Sequence, residues 1–174
     1  MNDAQLVVID QQASATATIL VIDEQLLMSS ALAHALRDKG FDARCLRVSG
    51  LKAVQAAASG YLPGLVLLDL DLGPRAGDQP LAGVDLIGPL CAQGWTVMVI
   101  TGTSSPSRIA DATAHGAASW IGKGATFAEV VHAAVEVMQE HGQARPAAVG
   151  GRWQASAGDD RKPLERQRAC IAPA

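Results

Sequence analysis

Three short stretches constrain the fold of this 174-residue chain more than any other feature. Thr18–Asp23, Leu65–Asp69 and Thr96–Thr101 are near-continuous runs of Val, Ile and Leu, each closed by a polar residue. A strand with one wet face alternates apolar and polar side chains, whereas an unbroken run marks a strand buried on both faces. Strands of that kind belong to parallel sheets covered by helices on each side. Two weaker runs, Phe41–Val48 and Ala118–Ile121, extend the series to five. The intervening segments carry helical spacing. Gln25–Lys39 places Leu26, Leu27, Ala31, Leu32, Ala35 and Leu36 on one side and stops at Gly40. Lys52–Ser59 stops at Gly60, Val84–Gln93 at Gly94, Ser107–His115 at Gly116 and Phe127–His141 at Gly142, with Pro106 suited to a first helical turn. Strand and helix alternating five times predicts an α/β, doubly wound, five-stranded parallel sheet flanked by helices.

The pattern occupies residues 17–141. Residues 1–16 form a leader, and residues 142–174, rich in Gly, Pro, Ala and Arg, read as a linker or tail with a short helix expected over Arg161–Ile171. In the leader, Val8-Ile9-Asp10-Gln11-Gln12 echoes Val21-Ile22-Asp23-Glu24-Gln25, but only the second copy is followed by an amphipathic helix, so it is taken as the first strand. The tail carries six basic and three acidic residues, leaving residues 1–141 at a net −6 within an overall −3. That balance excludes a basic nucleic-acid binder for the chain as a whole. No helical pair for DNA binding is expected within these 174 residues. Cys45, Cys91 and Cys170 form no CxxC pair and suggest a reducing, cytoplasmic setting rather than a disulfide or zinc scaffold. No apolar run reaches about 18 residues, so no membrane span is expected.

In a doubly wound sheet the chemistry gathers outside the carboxyl ends of the strands. Here the first strand ends in Asp23-Glu24, the third in Asp69 and the fourth in Thr101, and Lys123 follows the fifth after Gly122. Parallel strands bring these to one edge, giving three carboxylates, a hydroxyl and an ammonium in one cleft. Clustered carboxylates need neutralising charge, and a hard divalent cation such as Mg²⁺ provides it through oxygen ligands. A carboxylate held beside a cation and a lysine is poised to attack a phosphoryl group. Each residue also has a plainer role open to it. Asp23 and Asp69 could cap helices, Thr101 could be structural, and Lys123 could be a solvated charge in a Gly-Lys-Gly turn. The four histidines, His34, His115, His132 and His141, read as surface residues of helices.

Four motifs, in order and spacing, resemble the receiver domain of bacterial two-component response regulators, the CheY-like family. They are Ile19-Leu20-Val21-Ile22-Asp23-Glu24-Gln25, Leu65-Val66-Leu67-Leu68-Asp69-Leu70-Asp71-Leu72, Val99-Ile100-Thr101-Gly102 and Gly116-Ala117-Ala118-Ser119-Trp120-Ile121-Gly122-Lys123. The resemblance implies that Asp69 is the phosphoacceptor. It implies that Asp23, Glu24, Asp69 and the backbone carbonyl of Asp71 hold Mg²⁺, and that Thr101 and Lys123 accompany the phosphoryl group. Trp120 would then be the aromatic switch residue, and Asp71 and Thr103 would modulate the lifetime of the modification. A sensor histidine kinase would be the donor. A homodimer or partner would use the face of the fourth helix, fifth strand and fifth helix, and the basic tail is similar to the linker that precedes a helix-turn-helix domain in transcriptional regulators.

The chain departs from the family pattern in four ways. Gly124 replaces the usual Pro after the lysine, the acidic pair is Asp-Glu rather than Asp-Asp, the loop Gly73–Ala82 delays the helix-opening Gly83, and no complete output domain is expected within residues 142–174. Two other functions therefore stay open. One is a receiver-like interaction module that needs no phosphorylation. The other is a phosphatase using an Asp nucleophile with Asp71 as the second acid. No GxGxxG, GxxxxGK[ST] or GxSxG motif supports a nucleotide or acyl enzyme.

Overall fold

The computed structural model describes residues 17–46, 51–72, 82–102 and 105–141. The leader with its echo, Thr103, nearly all of the 73–82 loop, the end of the second expected strand, and the tail with its expected helix lie outside the described residues. Strands β1 (Thr18–Ile22), β2 (Asp42–Leu46), β3 (Leu65–Asp69), β4 (Thr96–Thr101) and β5 (Ser119–Gly122) alternate with α1 (Leu26–Asp38), α2 (Leu51–Ala58), α3 (Val84–Cys91), α4 (Pro106–Ala114) and α5 (Phe127–Glu140). All strand pairs are parallel, in the order β2-β1-β3-β4-β5. The five strands and five helices expected over residues 17–141 are present, with ends shifted by at most two residues where both bounds are described.

Burial explains which runs were continuous. Every residue of β1, β3 and β4 is buried, whereas the edge strands β2 and β5 are only partly so. Side chains then alternate between two cores. Ile19, Val21, Leu65, Leu67, Met98 and Ile100 point towards α1 and α5. Leu20, Ile22, Val66, Leu68, Val97 and Val99 point towards α2, α3 and α4. A one-residue slip would exchange the two sets, so packing on both faces fixes the register. Gly116 ends α4 at φ +103°, a conformation that side chains with a Cβ rarely adopt.

The strand order places a topological switch between β1 and β3. The chain leaves β1 for the edge strand β2 and returns to β3 across it. The loops after β1 and β3 therefore diverge, opening a crevice at their carboxyl ends.

Candidate functional site

Asp23 immediately follows β1 and Asp69 closes β3, so the two carboxylates flank that crevice. Both are buried, Asp69 almost completely. Lys123 follows β5, and its backbone N–H donates to the Thr101 carbonyl at 2.8 Å, which fixes the turn beside the end of β4. From there its ammonium reaches Asp69 Oδ2 at 2.5 Å and Asp23 Oδ2 at 3.2 Å. The remaining oxygens are held locally. Asp23 Oδ1 accepts from the Gln25 N–H at 2.8 Å, and Asp69 Oδ1 from the Asp71 N–H at 3.0 Å. Asp23 thus supports the turn into α1 with one oxygen and meets Lys123 with the other.

Under these charges lies a small cavity of about 40 Å³, lined mainly by apolar side chains of β1, α1, β3, β4 and α5, among them Met28, Leu67, Ile100 and Phe127. Burial in this setting pushes the Asp69 carboxyl up from its usual range, while Lys123 and the Asp71 N–H pull it down. Burial works against the Lys123 ammonium too, but its hydrogen bonds and charge attraction to Asp69 and Asp23 outweigh that and raise its pKa. The lysine is therefore held protonated between two acids.

Thr101 is buried at the end of β4, in register with Gly122, one residue before Lys123. Trp120 lies half-buried in β5 against the α2/α3/α4 core, and its indole N–H is buried without an acceptor among the described residues. Glu24 is exposed. Among the described residues no three Asp, Glu, His or Cys side chains converge, so the cleft expected to hold three carboxylates brings together two. Two carboxylates sharing one ammonium, with the Asp71 backbone next to them, still make a hard oxygen set. Mg²⁺ commonly takes one or two carboxylates and fills its remaining positions with water. Asp23, Asp69 and the Asp71 carbonyl are thus suited to such an ion, with Glu24 at the rim. The four histidines are exposed, as expected.

Two features escaped the sequence reading. Asp71, expected as a modulating residue or a bare loop acid, forms an ion pair with Arg108 of α4 at 2.7 Å. No motif connects residues 37 positions apart. Gly83 was legible only as a helix opener. Its N–H donates to the Leu70 carbonyl at 3.1 Å, and a Cβ there would stand 2.3 Å from the Asp69 carbonyl oxygen. The absent side chain lets α3 begin directly against the backbone of β3.

Several solved structures share this fold. A CheY-like receiver domain from Methanospirillum hungatei matches 73% of this chain and 97% of its own at 17% identity, with a TM-score of 0.62. A response regulator from Burkholderia pseudomallei, with a phosphorylated aspartic acid, calcium ion and citrate, matches 72% of each chain at 27% identity and a TM-score of 0.57. A LuxR-family response regulator from Aurantimonas matches 72% of this chain and 86% of its own at 16% identity, with a TM-score of 0.60. This chain has the CheY-like receiver fold. No family model and no curated protein sequence matches it. The likeness is thus one of architecture, and in this chain the acids and the lysine lie at the carboxyl edge of the sheet. Among the described residues no helix is long and apolar enough to cross a membrane.

Proposed function

We propose that this chain is a two-component receiver in which Asp69 accepts a phosphoryl group from a sensor histidine kinase. The observation that carries the reading is Lys123 bridging the buried Asp69 and Asp23 at the β1/β3 crevice. An Asp69 oxygen attacks the phosphorus of a phosphohistidine. An O–P bond forms and the N–P bond breaks, its electron pair leaving with the imidazole nitrogen. The product is an acyl phosphate on Asp69. The Lys123 ammonium, already within reach, pairs with the added negative charge, and the Thr101 hydroxyl follows the phosphoryl oxygens. A bound Mg²⁺, held by Asp23, Asp69, the Asp71 carbonyl and Glu24, would neutralise phosphoryl charge.

Output follows from Trp120. Its buried N–H finds no acceptor among the described residues, a cost that another packing can relieve. Movement of Thr101 towards the phosphoryl group would let Trp120 repack, altering the α4/β5/α5 face offered to a partner or a second copy. Two neighbouring structures are LuxR-family regulators, one of them named as DNA-binding, so transcriptional control is the proposed downstream role. The reaction is a slow, self-catalysed modification rather than turnover, and the chain acts in the cytoplasm.

Intact mass after incubation with acetyl phosphate and Mg²⁺ tests the reading. We expect one phosphoryl adduct on the wild type, lost without Mg²⁺ and absent in Asp69→Asn. An unmodified wild type would leave the phosphorylation-independent module as the better account. Continuous release of phosphate with no stable adduct would point instead to a phosphatase.

A further inference from the structure

Asp71 is tied to two places at once. Its backbone N–H donates to the acceptor's Oδ1 at 3.0 Å, and its carboxylate meets the Arg108 guanidinium at 2.7 Å on the first turn of α4. The pair is partly exposed, with Arg108 and Asp71 side chains 41% and 50% accessible. It therefore lies at the mouth of the site rather than in its floor.

The charge balance at that mouth is unfavourable to an anionic donor. Among the described residues, the carboxyl ends of β1 and β3 and the positions just beyond them contribute four carboxylates, Asp23, Glu24, Asp69 and Asp71, while Lys123 and Arg108 supply two cations. Lys123 is already shared between Asp23 and Asp69. Among the described residues, Arg108 is the cation paired with Asp71. Without it, the Asp71 carboxylate is free to rotate about its own turn, two residues from the acceptor, where it repels a phosphodonor.

We propose that Arg108 is a positioning residue. It holds the Asp71 carboxylate on the α4 side, so that the Asp71 peptide stays aimed at Asp69 and the mouth stays open to an anionic phosphodonor. The proposal rests on Asp69 being the acceptor. It also makes α4 a direct mechanical neighbour of the acceptor loop, through a contact between side chains rather than through the sheet.

The test is a double-mutant cycle on the full chain. Labelling by acetyl phosphate with Mg²⁺ is followed by intact mass for wild type, Arg108→Gln, Asp71→Asn and the double variant, with thermal melts to establish that each is folded. At low ionic strength Arg108→Gln should slow labelling by about two- to fivefold, the range open to a partly exposed pair. The loss should appear in the donor concentration needed rather than in the plateau rate, and should shrink at about 1 M salt, where the screening length falls to about 3 Å. In the Asp71→Asn background the same substitution should change little. An equal loss in both backgrounds would mean that Arg108 acts on the donor by itself, and an unchanged rate would mean that the pair is inert; either overturns the proposal. A wild type that takes no phosphoryl group would instead bring down the acceptor assignment, and this inference with it.

Discussion

The two helical layers of this receiver fold are built to different standards. On one side, α1 and α5 run 13 and 14 residues, and α5 opens with a full capping box: Thr126 accepts from the Glu129 N–H and Glu129 from the Thr126 N–H. On the other side, α2, α3 and α4 have only 8, 8 and 9 residues. Pro89 sits inside α3, and α4 buries only Ala112. The buried polar atoms without partners among the described residues, Gln93 Oε1, Trp95 Nε1 and Trp120 Nε1, all lie on or against this second side. Left unpaired, each such atom costs about 1–3 kcal/mol of desolvation. The difference teaches where motion belongs. The site sits on the seam, with Asp23 leading into α1 and Lys123 into α5, while Arg108 and Trp120 belong to the looser side. A charge added at Asp69 thus meets a firm layer behind it and an adjustable one in front.

The sharpest way to break this contrast is to delete the same atoms from each core. Leu36 of α1 and Leu90 of α3 are both fully buried. Leu36→Ala should cost about 4 kcal/mol in denaturant unfolding and Leu90→Ala about 2 kcal/mol, because the looser layer can collapse into the cavity. Equal or reversed costs would remove the distinction. Next in size is the cap. Thr126→Ala should lose about 1 kcal/mol and fray the start of α5 in hydrogen exchange; no change would mean that the firm layer owes nothing to its capping box.

The seam itself is probed by pH. The folded pKa of Lys123 is raised, so its ion pairs contribute fully below the ordinary lysine value, and that stability is lost as pH rises through the folded one. Melting temperature should therefore step down above the ordinary lysine range in the wild type but not in Lys123→Met. The smallest effect expected is at Trp95. Trp95→Phe removes an indole N–H that has no partner among the described residues, so the gain should nearly cancel the lost packing, leaving stability within about 0.5 kcal/mol. A loss of several times that would show the N–H to be satisfied after all.

Much of this was legible beforehand because strands buried on both faces leave a local mark. Ile19–Ile22, Leu65–Leu68 and Val97–Ile100 announce the central sheet, and the polar residue closing each run falls at the carboxyl edge by geometry alone. The edge strands were harder. β2 and β5 are half-buried, their apolar signal is diluted, and the end assigned to β2 at Val48 passes beyond Leu46, the last described residue of that strand. At the site, the sequence placed Asp23, Glu24, Asp69, Thr101 and Lys123 on one edge, and of these Glu24 is exposed.

The sequence alone determined the order of elements, the two-sided burial of the middle strands and the row of residues at their ends. These follow from periods of two and 3.6 residues, which act over a few positions of chain. The tertiary structure decided which oxygen faces which nitrogen. It left Glu24 in solvent, joined Asp71 to Arg108, pressed Gly83 against the backbone of Asp69 and gathered the unpaired polar atoms on one side. Those outcomes depend on distances between elements far apart in the chain, set by how two cores pack at once, and no local pattern encodes them.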